Sequence, residues 1–296
     1  MELYQLEYFQ AVAKQKHFTK AAEFLHLSQP TLSRQIKLLE EELDTELFYR
    51  NGKQLTLTKS GEYLLQRTEK VLGDVNRLKM DLKHKVDGRK MLSIGTIPTV
   101  SRFYLPNIIP QVQSQNQSVK YQLSVDWTSQ EVLENLDQGK FELCIAQPVK
   151  KKGYERVSLF FDPFVLLVPN NDQWRSVNKI SLTDLQKESF ILTTYPCSIR
   201  DTIIHTCLEK GFKPSIVTET DHICAVKGLV AAEVGISFMP LLTLKETRLP
   251  KNIKYILIDE PIGREISLMW LKNKKMSEWA NRFIGHFKLH SNDQAQ

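Results

Sequence analysis

Apolar residues recur along the chain in three successive rhythms. Near the N-terminus the spacing is helical. Leu3, Leu6, Phe9, Val12 and Ala13 fall on one face of a first helix, and Ala21, Ala22 and Leu25 give a second helix a small-residue face suited to close packing. Leu32, Ile36, Leu39 and Leu43 then recur at steps of four, three and four along a third. Thr19 and Ser28 are predicted N-caps, since each side-chain oxygen can accept a bond from backbone N–H groups of the turn that follows. Three short helices with a tight turn before the last describe a helix-turn-helix. Behind them Asn51-Gly52 is a strong two-residue hairpin signal, and Leu55 and Leu57 alternate as in a strand. A wing with Arg50 and Lys53 flanking its tip should therefore follow the third helix.

The second rhythm begins at Thr58. No proline interrupts TKSGEYLLQRTEKVLGDVNRLKMDLKHKV, and Leu64, Thr68, Val71, Val75, Leu78 and Leu82 alternate at steps of four and three, as in a coiled-coil seam. A helix packed on its own domain is the plainer reading. The charged flanks favour two such helices pairing, which would present two recognition helices to half-sites of an interrupted palindrome. Asp87-Gly88-Arg89-Lys90 ends the helix and marks a hinge.

After residue 90 the third rhythm alternates strand with helix. MLSIGTI, KYQLSV and FELCIA are apolar strand candidates, separated by helical stretches at about 102–115 and 128–138. FVLLVP, SFILT, SIVTE and GISFMP repeat the pattern, separated by SIRDTIIHTCLEKG and HICAVKGLVAAEV. This predicts parallel α/β sheets in two similar lobes, with the tail strand REISLMWL and a closing helix near 276–288 crossing back to the first lobe. Open α/β sheets bind ligands beyond the carboxyl ends of their strands, so the cleft between lobes is the default site.

Composition narrows this picture. A chain of 296 residues suggests two or three units, and no stretch approaches the roughly 18 uninterrupted apolar residues of a spanning helix. The N-terminus carries Glu2 and Glu7 and shows neither a basic segment nor a small-residue cleavage site, so a soluble, cytoplasmic chain with no membrane partner is expected. Cys144, Cys197, Cys207 and Cys224 lack C-x-x-C spacing, and His17, His26, His84, His205, His222, His286 and His290 lack metal spacing; no metal or disulfide framework is expected.

The formal charge of +6 suits a polyanionic partner, but residues 1–89 hold 15 Lys or Arg against 13 Asp or Glu, so placement of charge matters more than its sum. Glu40, Glu41, Glu42, Asp44 and Glu46 keep nucleic acid from the far end of the third helix. Its beginning is the candidate DNA face. Ser28, Gln29 and Thr31 crowd the positive end of the helix dipole, with Pro30, Ser33, Arg34 and Lys37 on the side away from the apolar stripe. Gln can bond an adenine edge bidentately, Ser and Thr allow close groove approach, and Arg or Lys can meet phosphate or guanine. The bland alternative is a solvated polar face. Two upstream helices and a wing favour DNA.

Leu6, Phe9, Val12, Ala13, Phe18, Thr19, Ala21-Ala22, Leu25, Ser28-Gln29-Pro30, Ser33, Ile36, Leu39-Glu40, Leu43, Leu47-Phe48, Arg50, Leu57-Thr58 and Gly61 together resemble the N-terminal signature of LysR-type transcriptional regulators. The resemblance is dense over about the first 65 residues. It implies a bacterial regulator with an N-terminal all-α winged helix-turn-helix (1–58), a long linker and dimerisation helix (59–89), and an α/β, two-lobed, periplasmic-binding-protein-like effector domain (90–296). Lobe I would span about 90–162 and 264–296, and lobe II about 163–263. The DNA-binding set carried over is Thr19, Ser28, Gln29, Pro30, Thr31, Ser33, Arg34, Lys37, Arg50 and Lys53. Lys53 stands where the family usually has arginine, which keeps a phosphate contact but not the planar fork. The resemblance also implies a homodimer, or a homotetramer of two dimers, with RNA polymerase as a further partner. It implies no cofactor, but a small and often anionic effector whose binding changes lobe closure and the spacing of the DNA-binding heads. KGLVAAEVGISFMP resembles the family's helix-to-strand passage near the cleft, and Glu142 replaces its more frequent Asp.

For the effector, GTIPTVS offers Thr96, Thr99 and Ser101 after the first strand, and TTYPCSIRD offers Thr194, Ser198 and Arg200 in the corresponding place of the second lobe. Helix capping explains the hydroxyls equally well. Cys197, at a helix start beside Arg200, and Cys207 leave open a cysteine-based redox sensor, and their spacing looks somewhat like that of the family's peroxide-sensing members. An enzyme would need a constellation that is missing: there is no G-x-G-x-x-G, no G-x-x-x-x-G-K-[ST], no H-E-x-x-H and no G-x-S-x-G. A solute-binding protein would explain the lobes but not residues 1–90.

Overall fold

A computed structural model describes residues 1–51, 54–86, 91–114, 119–149, 152–194, 197–244 and 249–293, and the chain divides into two units. The first is Met1–Arg89 with Asp137–Lys140, and the second is Lys90–Leu136 with Phe141–Gln296.

The first unit contains α1 (Leu3–Gln15), α2 (Phe18–Phe24), α3 (Gln29–Glu42), a hairpin of β1 (Phe48–Asn51) and β2 (Gln54–Leu57), and α4 (Lys59–Val86). The apolar stripes read from the sequence close on one core: Phe9, Val12, Ala21, Ala22, Leu32, Ile36 and Leu39 are buried together with Leu47 and Phe48. The rings of Phe9 and Phe18 meet Phe48 at 5.4 and 5.9 Å between centroids. Each large side chain buried here contributes about 1.5–3 kcal/mol, so packing rather than intrinsic propensity holds such short helices.

Ser28 caps α3, its hydroxyl accepting from Thr31 N at 3.3 Å. Thr19 does not cap α2. The cap is His17, whose Nδ1 accepts from Thr19 N at 3.2 Å, because Phe18 has already turned into the helix to place its ring on Phe48. At the other end of the unit, the Thr58 hydroxyl donates to Glu46 O at 2.7 Å and accepts from Gly61 N at 3.0 Å, which starts α4. A Cβ on Gly61 would lie 2.2 Å from Leu47 O, so only glycine lets α4 approach the wing this closely.

The α4 seam divides. Leu64 packs on the unit's own core and Thr68 is buried, whereas Val71, Leu78 and Leu82 are 43%, 59% and 53% exposed. The early turns serve the domain, and the later turns carry an open apolar strip.

In the second unit β3 (Met91–Thr96) lies between β4 (Lys120–Val125) and β5 (Leu143–Ala146), all parallel, with α5 (Pro98–Phe103), α6 (Leu105–Ser114) and α7 (Ser129–Asp137) as connections. The helix expected from about 102 begins instead at Pro98, whose fixed φ suits a first turn, and it breaks at Tyr104. Pro106 has no N–H with which to continue the α5 ladder.

β6 (Tyr154–Pro169) runs antiparallel to β12 (Gly263–Leu271), which also pairs β5. Only the latter part of β6, FVLLVP, reads as a strand in the sequence. The earlier part alternates exposed and half-buried positions and lacks a continuous apolar run. The end of β6 pairs with β10 (Ser237–Pro240) and β11 (Ile253–Ile258), the latter unexpected, and β7 (Lys179–Ile180) closes that edge. β8 (Ser189–Thr193) and β9 (Ser215–Thr220) form a separate parallel pair connected through α8 (Ser198–Glu209), with α9 (Ile223–Ala231) following. The closing helix α10 (Glu278–Asp293) packs Phe283 and Ile284 into the core of Leu92, Ile94, Leu133 and Leu143. A second core gathers Phe164, Leu182, Phe190, Ile203 and Phe238. These two cores define two lobes, and β6 and β12 are antiparallel where they pass between them.

Candidate DNA-binding and effector sites

The start of α3 is an exposed polar surface. Ser28, Gln29, Pro30, Thr31, Arg34 and Lys37 are exposed and Ser33 is half-buried, while Leu32 and Ile36 point into the core. Three contacts within the helix order these side chains: Ser28 Oγ lies 2.7 Å from Thr31 Oγ1, Gln29 Nε2 donates to Ser33 Oγ at 2.8 Å, and Lys37 Nζ is 3.5 Å from Glu41. The last is an exposed i,i+4 pair of little energetic worth, so Lys37 is readily given up to a stronger anion. Thr19 is exposed on α2. Arg50 lies in β1 opposite Leu55, but its side chain and the whole of Lys53 are outside the described residues.

In the second unit, Thr99 comes to the point where the lobes meet. Its hydroxyl accepts from Arg264 Nη2 at 2.7 Å. Arg264 stands on β12 opposite Asp162 on β6, and its Nε and Nη2 reach Asp162 Oδ2 at 3.2 and 3.0 Å. Asp162 Oδ1 in turn accepts from the backbone N of Leu242, in a 3-10 turn of the other lobe, at 3.1 Å. The pair is almost wholly out of solvent, with side chains 3% and 1% exposed. Burial lowers the pKa of the Arg264 guanidinium, while the Asp162 charge and hydrogen bond and then Cys197 push it back up, so the group stays cationic. Cys197, the N-cap residue of α8, therefore lies within electrostatic reach of Arg264. On α9, burial lowers the Lys227 pKa, Cys224 raises it, and Arg102 of α5 lowers it.

Other expected groups are engaged elsewhere. Thr96 is fully buried and donates to Ile145 O at 2.9 Å, so its hydroxyl secures the sheet rather than lining the cleft. Arg200 pairs with Glu219 at 2.6 Å and donates to Thr193 O at 3.0 Å. Ser198 begins α8, half-buried beside Cys197, and Ser101 and Thr194 are half-buried. Glu142 accepts from Ser277 N and Oγ at 3.0 and 2.7 Å just before α10, so it secures a helix start. Cys207 is fully buried, and burial pushes its thiol up to about 11.

Residues 3–62 match the family described as bacterial regulatory helix-turn-helix protein, lysR family, and residues 87–291 match LysR substrate binding domain. The chain belongs to the LysR family. It is 30% identical to the HTH-type transcriptional regulator YybE of Bacillus subtilis, over 97% of this chain and 99% of that one. It is 31% identical to the DNA-binding transcriptional dual regulator OxyR of Escherichia coli, over 89% and 87% of the two chains. The fold of full-length BenM superposes with a TM-score of 0.59 at 25% identity, covering 100% of this chain and 98% of that one. This LysR-family chain is a DNA-binding transcriptional regulator with an effector-binding domain, and not an enzyme. Among the described residues no helix is long and apolar enough to cross a membrane.

Of the residues singled out in the sequence of this LysR chain, Thr99 meets Arg264 and Ser198 begins α8, whereas Arg264, Asp162 and Leu242, which join the lobes here, were not singled out. The signal was faint: one Arg in GREISLMWL and one Asp in FFDPF, each a charge inside an apolar strand and so a candidate for a buried pair.

Proposed function

We propose that this LysR-family regulator binds double-stranded DNA at an interrupted palindrome and is switched by a small anionic metabolite held between the lobes of its second unit. The start of α3 enters the major groove, with Gln29 reading bases and Ser28, Thr31, Ser33, Arg34 and Lys37 contacting phosphates or base edges. Thr19, Pro30, Arg50 and Lys53 flank that surface. The winged domain occupies residues 1–58, the linker helix 59–89 and the effector domain 90–296. Pairing through the open strip of α4 gives a homodimer, and two dimers a homotetramer, acting in the cytoplasm with RNA polymerase.

The observation that supports the effector reading is the meeting of the two lobes at the buried Arg264–Asp162 pair, where Arg264 donates to Thr99 and Asp162 accepts from Leu242 of the other lobe. A ligand preferring one arrangement of the lobes shifts the equilibrium between DNA-binding states by its differential affinity for them. The test is operator affinity of the full-length protein, titrated with small carboxylates. A reproducible change with one of them supports the reading, and an affinity indifferent to every anion tried counts against it.

A redox switch is the second reading, favoured by Cys197, half-buried at the start of α8. Against it, Cys197 and Cys207 are ten residues apart along α8, a rise of about 15 Å, while a disulfide needs Cα atoms within about 7 Å. Operator affinity before and after peroxide, in wild type and Cys197→Ser, separates the two readings.

A further inference from the structure

Two lysine-rich turns lie side by side at one end of the first lobe. β12 runs antiparallel to both of its neighbours, with Met269 opposite Cys144 of β5 and Leu271 opposite Tyr154 of β6. The end of β12 and the start of β6 therefore meet beside the beginning of β5, at the opposite end of the sheet from the carboxyl ends that border the cleft. Past these ends the chain turns at Gly153 and Asn273, both in the left-handed region with φ of 107° and 62°, and Lys272 N donates to Gly153 O at 2.8 Å. The sequence through the turns is KKKG and KNKK. Lys152, Lys272 and Lys275 are exposed and Lys274 is half-buried.

Neither segment contains an acidic residue, and the carboxylates around them have duties inside the lobe. Glu155 accepts from Trp270 Nε1 at 3.1 Å, Glu142 accepts from Ser277 N and Oγ, and Glu278 pairs with Arg282 one turn along α10. The two turns thus present concentrated positive charge.

What such a surface fits is decided by its residue types. Protein–protein interfaces favour arginine and aromatic side chains and are depleted in lysine, whereas both turns carry lysine and no arginine. A lysine ammonium is a compact point charge that meets a phosphate from many directions and reads no base. The chain already binds DNA, whose phosphates offer about one negative charge per 1.7 Å of axis. We infer that Lys152 and the turn Lys272–Lys275 form a second, sequence-independent contact to duplex DNA, on phosphates outside the half-sites read by α3. This rests on the DNA-binding reading above and adds a contact made by the second unit. Its contribution is to affinity and salt dependence, not to the choice of operator.

The experiment measures the affinity of the full-length protein for two duplexes over a range of salt. Both carry the palindrome selected from a random pool; one ends at the half-sites, and the other extends about two helical turns beyond each. Lys152→Gln with Lys272→Gln removes two charges from exposed turns, Lys152→Arg with Lys272→Arg keeps them, and melting temperatures check that both proteins are folded. Wild type should bind the extended duplex more tightly, with a steeper fall against salt. The glutamine variant should lose that advantage and flatten the salt slope on the extended duplex by about two units, while matching wild type on the short one. The arginine variant should stay close to wild type on both. A glutamine variant equal to wild type on both duplexes shows that the turns touch no DNA and overturns the inference. Equal weakening on both overturns it as well, because the lysines then act through the fold or within the half-sites. Unchanged DNA binding with lost transcription by RNA polymerase overturns it in favour of an acidic protein partner. A pool that yields no enriched palindrome contradicts the DNA-binding reading itself, and this inference falls with it.

Discussion

Gln29 opens α3 with its amide already donated to Ser33, 2.8 Å away on the next turn. That bond is exposed, so exchanging it for a base edge costs little, and a bidentate contact to adenine then discriminates by about 1–3 kcal/mol. Gln29→Ala should lose about 1–3 kcal/mol on the preferred site and little on random duplex, measured by competition between the two at one salt concentration. Equal losses on both would show that Gln29 reads no base. Cys207 makes a prediction of a different kind. Burial raises its thiol from 9.0 to about 11, so between these values the native state holds a proton that the unfolded chain has lost. Its contribution to stability is whole below about pH 9 and is lost as pH rises through about 11. Urea unfolding at about pH 8 and about pH 10.5 should show the decline, and Cys207→Ala should flatten it. A decline of the same size in the variant would assign it to another group. The exposed placement of Ser28, Gln29, Thr31, Arg34 and Lys37 on α3 was legible because a helix converts spacing directly into direction. The cleft was less so. Thr99 could be found from its place after a strand, but its partner is 165 residues away and the Asp162–Arg264 pair is 102 apart, a proximity created by β6 lying against β12.

At the scale of elements, the acid run that begins in the last turn of α3 has a structural duty. Glu40 accepts from Leu47 N at 2.8 Å and Phe48 N at 3.3 Å, which ties the start of the wing to the end of α3. Glu40→Ala should destabilise the first unit by about 1–3 kcal/mol in chemical denaturation, through buried amides left without an acceptor. No change would mean water replaces the carboxylate freely. On α4, Leu78 and Leu82 lie one turn apart and exposed, an apolar strip that a second copy would cover. Leu78→Glu should convert the wild-type assembly to a smaller species in sedimentation, and an unchanged mass would remove the strip from the interface. The first three helices were legible because their apolar period matches the face they bury. The α4 seam was legible in period but not in partner, since Thr68 is buried and Leu78 is exposed. The first part of β6 was not legible, because alternating exposure breaks the apolar run that marks FVLLVP.

At the scale of the whole molecule, a helix-turn-helix region and a substrate-binding domain of the LysR family lie in one chain. A regulator requires that the two be linked. An effector changes operator affinity only as far as its own affinity differs between the two states, and the linkage is reciprocal: operator DNA must change anion affinity by the same factor. The most direct measurement is selection of bound sequences from a random duplex pool by the full-length protein at fixed, near-physiological salt, with and without a small carboxylate that changes operator affinity. The account predicts an enriched interrupted palindrome, half-sites about one helical turn or a multiple apart, and a changed affinity for it when the anion is present. A pool that shows no enrichment, with binding that fades as salt rises, would contradict it by leaving only nonspecific attraction to phosphate.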